Sequence, residues 1–286
     1  MKKLLTKLLT LLLALVALSN ISLAAPAEVT QIKSTDYDNI QQYIDELRDI
    51  HKHAIDAGLC TLNDNSLVVN IDIHMLDISE ESAQNYASFI SNLNDIAELG
   101  VITINNDFSI STLPSEEATK IIYERDQAQM NTSSQSSNAF DIQKVVESPS
   151  QLKQTRPTLN AYSIAKSNWS QLINYYTAVA VTSPTSAWTS TVAWWVAKVK
   201  PGGAWDYKSL SGYSPYNKTW NAVQKNTTST KTSEWFGNYN YGFTGKALFS
   251  LNTLLSASKM VSYGYSHAPD SDEDIAAVTQ GYNEAP

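Results

Sequence analysis

Cysteine is nearly missing: Cys60 stands alone in 286 residues, so no internal disulfide can form and a disulfide-stapled scaffold is excluded. Glycine and proline are sparse as well, ten and nine residues, and 43% of the chain is hydrophobic, which excludes collagen-like and disordered classes. Arginine stops at Arg156. All nine basic residues beyond it are lysines, so the C-terminal stretch has no guanidinium for two-pronged phosphate clamping. With Lys+Arg 20 against Asp+Glu 28 the net charge is −8, which rules out a uniformly basic nucleic-acid coat. No Gly-x-Ser-x-Gly elbow, no Gly-Lys-Ser/Thr phosphate loop and no internal repeat occurs.

What is present begins with a leader. Lys2, Lys3 and Lys7 precede the apolar run Leu8 to Leu18, and Ser22-Leu23-Ala24 offers small residues at the two positions that a signal peptidase reads. The run is about half of the roughly 20 residues needed to span a bilayer. Residues 1–24 therefore read as a cleavable signal peptide, with a secreted or periplasmic destination and no membrane span after cleavage. The rest is split in charge: Ala25 to Leu159 carries 8 basic and 21 acidic residues, whereas Asn160 to Pro286 carries 9 lysines and 7 acids. An acidic segment able to shield a weakly basic one is one reading of that split; an ordinary solubilising surface is the other.

Periodicity divides the chain into an α+β N-terminal domain, 25–130, a linker, 131–157, and a mostly α-helical C-terminal domain, 158–286. In the first, Ile40, Tyr43, Ile44, Leu47, Ile50 and Ala54 recur at helical spacing before Gly58. Leu67, Val69, Ile71, Ile73 and Met75 alternate with Asn70, Asp72 and His74, as in a strand covered on one face, with Asp72 and His74 on its polar side. Ser79, Glu80 and Glu81 open a second helix with the stripe Tyr86, Ile90, Leu93, Ile96 and Ala97. Val101 to Ile110 reads as a hairpin and Pro114 to Gln129 as a third helix; the polar run Asn131 to Asn138 starts the linker. All seven tryptophans then fall between Trp169 and Trp235. Helices are expected around Trp169, around Trp195, at Leu251 to Val261, and behind Ser271.

Two glycine-punctuated stretches, Lys200-Pro-Gly-Gly-Ala-Trp-Asp-Tyr-Lys208 and Phe236-Gly-Asn-Tyr-Asn-Tyr-Gly-Phe-Thr-Gly245, read as loops that can bring backbone and polar side chains close to a ligand. Packing of their aromatics, with Asp206 capping a turn, is the alternative. His267 is the one histidine of this domain and a candidate general base. Asp270, Asp272 and Asp274 fit the first half of a calcium loop, but Ile275 occupies the position that needs glycine, so a capping box from Ser271 to Asp274 is preferred.

The two stretches in this order, with Ala247 and with Asp274 seven residues before Gly281, resemble the bacterial polymorphic toxin type 44 domain over about Trp194 to Asn283. Ala204 stands where the family commonly has proline, and Phe243 where a small residue is usual. The resemblance implies a largely helical toxin module used between competing bacteria, with ribonuclease activity. Carried over residue by residue, Asp206, Asp274, Lys200 and Lys208 become the expected catalytic residues, and Asn238, Asn240, Tyr241, Thr244 and Trp205 the expected substrate-binding ones. In that scheme a carboxylate activates the ribose 2′-hydroxyl and a lysine steadies the phosphorane, with no metal and no cofactor. The expected partners are RNA of a target bacterium and an immunity protein. Two other classes remain open: a peptidoglycan hydrolase with Asp206 and Asp274 as an acid–base pair, and a non-enzymatic surface interaction module.

Overall fold

Helix α1 (Ser34–Asp56) presents Ile44, Leu47, Ile50 and Ala54 to the interior, the stripe that the sequence predicts. The computed structural model describes residues 34–63, 67–70, 75–136, 156–266 and 270–286. The leader, Asp72, His74 and His267 lie outside the described residues. After α1 come strands β1 (Cys60–Leu62) and β2 (Val68–Asn70), an antiparallel pair. Helix α2 (Glu80–Glu98) is capped by Ser79, whose hydroxyl accepts from the Ser82 N–H at 3.0 Å, and it buries Tyr86, Phe89, Ile90, Leu93 and Ile96. The predicted hairpin is β3 (Ile102–Ile104) with β4 (Ile110–Thr112), Ile104 opposite Ile110.

Helix α3 (Ser115–Ser136) runs seven residues past the predicted end at Gln129. Asn131 to Ser136, read from polarity as the start of a linker, continue it; 137–155 are outside the described residues. Helices α4 (Ala161–Thr182) and α5 (Pro184–Val199) follow. From Ser190 to Ala197 every residue of α5 is buried, which a helix tolerates only where it is covered on all sides. It is covered by α4 and by α3, while α1 and α2 pack on α4. One hydrophobic cluster accordingly joins Leu47 and Leu93 with Leu172, Val179 and Trp195.

The C-terminal part also holds a small sheet that periodicity did not predict: β5 (Thr158–Leu159) parallel to β6 (Thr219–Val223), and β6 antiparallel to β7 (Thr228–Thr232). Helices α6 (Ser233–Gly245), α7 (Leu251–Ser266) and α8 (Asp272–Glu284) complete the chain. Helix therefore dominates a mixed α+β architecture, with eight helices and small sheets among the described residues. None of these helices is long and apolar enough to cross a membrane.

Helix α6 corrects the sequence reading, which made Phe236 to Gly245 a loop. Its glycines serve approach, not turning. A Cβ on Gly242 would sit 2.0 Å from the Val278 carbonyl oxygen of α8, and one on Gly281 of α8 would sit 1.9 Å from the Tyr239 carbonyl oxygen of α6. Neither neighbour is a flexible side chain, so an added methyl must push the helices apart. Gly281→Ala is expected to cost about 1–3 kcal/mol, as overpacking does. Gly242→Ala should cost a similar amount and the pair together less than the sum, because the first methyl already opens the gap. Urea midpoints of the three variants measure this.

A second expectation concerns His51 of α1, 5% exposed and ringed by Tyr86, Phe89 and Phe108. Its Nδ1 lies 2.9 Å from the Tyr86 hydroxyl, which in turn lies 3.3 Å from Cys60 Sγ; its Nε2 has no partner among the described residues. Burial lowers the imidazole to about 4. The unfolded chain takes the proton near pH 6.5 and the folded one does not until about pH 4. Stability is thus expected to fall as the pH drops through that window. A Tm series over it should be steep in the wild type and flatter in His51→Phe.

Candidate functional site

Helix α5 ends at Val199, and the next residues fold back over its end: the Trp205 N–H donates to the Lys198 carbonyl at 2.8 Å, and Gly202 adopts φ +77°. Asp206 fastens this turn. Its Oδ2 accepts from the Gly202 N–H at 2.9 Å and from the Ser209 hydroxyl, and the residue is 6% exposed. The carboxylate expected to be catalytic is therefore enclosed and engaged in holding its own loop. Trp205 is buried edge-on against Trp194, 5.2 Å between ring centres. Lys200 turns to α3, where its ammonium lies 3.6 Å from the centre of the Tyr123 ring. Burial lowers that amine to about 8, against the pull of Glu124 and Asp126.

The expected substrate-binding residues of α6 divide in the same way. Asn240 is fully buried; its Oδ1 accepts from Asn168 Nδ2 at 2.9 Å, and the same Asn168 amide donates to the Tyr207 hydroxyl at 2.8 Å. The Nδ2 of Asn240 has no partner among the described residues. Thr244 donates to the Asn240 carbonyl at 2.7 Å and accepts from Trp195 Nε1 at 3.0 Å. The Tyr241 hydroxyl donates to the Leu254 carbonyl at 3.2 Å, and burial raises its pKa. The two glycine stretches do meet, with Tyr207 against Phe236 at 4.3 Å and Asn168 bridging Tyr207 to Asn240. What meets is their interior side. Burial pushes Tyr207 up to about 12, so its hydroxyl stays a neutral member of this network.

Polar groups that reach the surface gather where α6 begins beside the start of α8. Thr232 caps α6, its hydroxyl accepting from the Trp235 N–H at 3.1 Å, and places Glu234 in the first turn. Ser271 caps α8 in the predicted capping box: Asp274 Oδ2 accepts from the Ser271 hydroxyl at 2.8 Å and from its N–H at 3.3 Å. The other oxygen of Asp274 accepts from Asn238 Nδ2 at 2.6 Å, which ties the two helix starts together. The Glu234 carboxyl is raised by partial burial and by the negative charge of Asp274, is lowered by Lys208, and is raised further by Glu273. Lys208 itself is exposed, and its backbone N lies 3.8 Å from where a Cβ on Gly237 would be.

The arrangement thus brings together Asp274, Asn238 and Lys208 from the expected set, adds Glu234, and leaves Asp206, Lys200, Asn240, Tyr241, Thr244 and Trp205 outside the outward-facing group. Glu234 escapes the sequence reading because it lies two residues before the glycine stretch Phe236 to Gly245, in a segment to which periodicity assigns no element. The signal existed: Glu234 is the one acid between Asp206 and Asp270, and in a helix it shares a face with Asn238, four residues on. Two carboxylates, of which Glu234 is raised, an amide that orients the other and a nearby ammonium can give and take protons around a bond that develops negative charge. Among the described residues no group of three or more His, Cys, Asp or Glu side chains is placed to hold a metal ion. The chain matches no protein-family model, no curated protein and no solved structure.

Proposed function

We propose that this chain is an exported antibacterial toxin whose C-terminal part, similar to the type 44 toxin domain, cleaves RNA by acid–base catalysis at Glu234 and Asp274. The observation that supports the reading is the shared locus of Lys208 and Asn238 from the two motif stretches, Asp274 at the start of α8, and Glu234 in the first turn of α6. Asp274 takes the proton of the ribose 2′-hydroxyl, held for the task by the Asn238 amide. The 2′-oxygen attacks phosphorus, Lys208 offsets the charge on the phosphorane oxygens, and the raised Glu234 carboxyl gives its proton to the departing 5′-oxygen. The products are a 2′,3′-cyclic phosphate and a free 5′-hydroxyl. No step calls for a metal. An immunity protein for the producing cell would be seated over Lys208 and Glu234.

A second reading has one observation in its favour. Tyr216 is 57% exposed, and its carbonyl accepts from the Glu234 N–H at 2.8 Å, so an exposed aromatic residue is a main-chain neighbour of Glu234, one of the two carboxylates that sugar hydrolysis would use. Incubating the full chain with RNA and with cell-wall sacculi, in EDTA, separates the two. RNA fragments ending in 2′,3′-cyclic phosphate are the expected result. Release of wall fragments instead establishes the hydrolase of peptidoglycan, and silence on both substrates leaves a non-enzymatic interaction module.

A further inference from the structure

The stretch Arg156 to Lys231 carries eight basic residues and a single acid, Asp206, whose carboxylate is enclosed in its turn. Two of the lysines, Lys198 and Lys200, face α3. Lys225 is tied to the end of α8 through the Glu284 carbonyl at 3.1 Å. Lys218 and Lys231 have no carboxylate partner among the described residues, and each lies over an aromatic ring, Lys218 at 4.2 Å from Trp220 and Lys231 at 5.1 Å from Trp235; the Lys218 ammonium also donates to the Gly212 carbonyl. Lys231 is paired with Trp220 across the β6–β7 ladder. The pairing continues beyond the strands, with the Ser233 N–H on the Lys218 carbonyl at 3.0 Å and the Glu234 N–H on the Tyr216 carbonyl at 2.8 Å. Lys218 and Lys231 thus flank Trp220, itself 8% exposed, at the edge of the sheet, and the main chain beside them abuts the first turn of α6, where Glu234 stands.

We infer that Lys218 and Lys231, with the exposed ring of Tyr216, form a track that binds the phosphates and one unstacked base of a single-stranded RNA and delivers it to Glu234. The choice of ligand builds on the ribonuclease reading. Lysines seated on rings give up part of their mobility before the ligand arrives, which is what a phosphate track needs. Tyr216, with 57% of its surface free, offers the flat face on which a base of any identity can stack. Stacking of this kind selects single strands, since a paired base has no free face. In a C-terminal part with no arginine beyond Arg156, positioned ammonium groups and an aromatic platform would replace the bidentate clamp.

The test is fluorescence anisotropy of a labelled 2′-O-methyl oligouridylate of 12 nucleotides, which cannot be cleaved through its 2′-oxygen, against the purified full chain over a range of salt. Lys218→Gln/Lys231→Gln is expected to flatten the slope of log K against log salt by about 1.4, two single-strand phosphate contacts. Tyr216→Ala should weaken binding about tenfold with the slope unchanged. Lys259→Gln, on the exposed side of α7, should alter neither. Near-UV circular dichroism checks that the variants keep the native packing. The inference is overturned if the double variant keeps the wild-type slope, if Lys259→Gln lowers the slope as much, or if a polyglutamate of equal length competes as well as the oligonucleotide, which would mark a docking face for an acidic protein. Its failure is distinct from that of the catalytic reading. RNA cleaved at the wild-type rate by a double variant with unchanged binding removes the track alone, whereas lysine-dependent binding with no cleavage removes the catalytic assignment alone.

Discussion

Glu234→Gln is expected to slow RNA cleavage by roughly 10²–10⁴-fold, the usual worth of a positioned acid or base, while leaving the fold at least as stable as the wild type. The second half of that expectation follows from the direction of the carboxyl's shift. Partial burial and the charge of Asp274 make the folded state hold the Glu234 proton to higher pH than the unfolded chain does. Ionising it therefore costs folding free energy, a cost that is absent at low pH, sets in as pH rises through the unfolded value and is complete above the folded one. Glutamine keeps the shape and removes the charge. The urea midpoint of the variant at pH 7 should equal or exceed that of the wild type, and the alkaline decline of the rate, where Glu234 has lost the proton it donates, should vanish. A variant that retains the full rate, or one that loses rate and stability together, would mean that Glu234 serves the packing of α6 and not the reaction.

Asp126→Ala should cost about 3–5 kcal/mol, the range for removing one partner of a buried pair and stranding the other. Lys198 Nζ of α5 reaches both carboxylate oxygens of Asp126 of α3, at 2.7 and 2.9 Å, with the two side chains 14% and 11% exposed. The residual exposure favours the lower end of that range. The same ammonium lies 5.0 Å from the Trp194 ring, so it cannot swing to water without vacating a packed position. Lys198→Met/Asp126→Leu should recover most of the loss, since an apolar pair of similar volume removes the desolvation cost along with the attraction. Urea unfolding of the two variants checks this; a single-variant cost below about 1 kcal/mol, the value of an exposed pair, would show that α3 is not docked on α5 in solution.

These two residues illustrate what the chain discloses before folding. Local features were legible: the stripes of α1 and α2, the Ser79 cap and the Ser271 capping box depend on residues within one or two turns, and each is present. Features set by distant contacts were not. Gly237, Gly242 and Gly245 signal a loop by propensity, and only the backbone of α8 against α6 reveals that Gly242, with Gly281 of α8, is there to admit another main chain. The strand β7, Thr-Ser-Thr-Lys-Thr, has no apolar alternation to betray it, because its partner β6 supplies the buried Trp220 and Ala222. Asp206 and Asp274 look alike in the sequence. One caps an enclosed turn and the other sits at an open helix start, a difference fixed by which neighbour reaches each carboxylate.

The contact of α6 with α8 at Gly242 and Gly281 also bears on how the protein tolerates change. Where two helices touch through main-chain atoms, their separation is dictated by covalent geometry and van der Waals radii, with no side chain acting as a spacer. Trimming Leu254 nearby would leave a void and soften the domain, yet the gauge between the carboxylates at the two helix starts would survive. One carbon atom at position 281 would widen it. Drift in the surrounding core is thus uncoupled from drift in the spacing of the proposed acid–base pair, and a screen for folded variants that lose the proposed activity should collect at these two glycines.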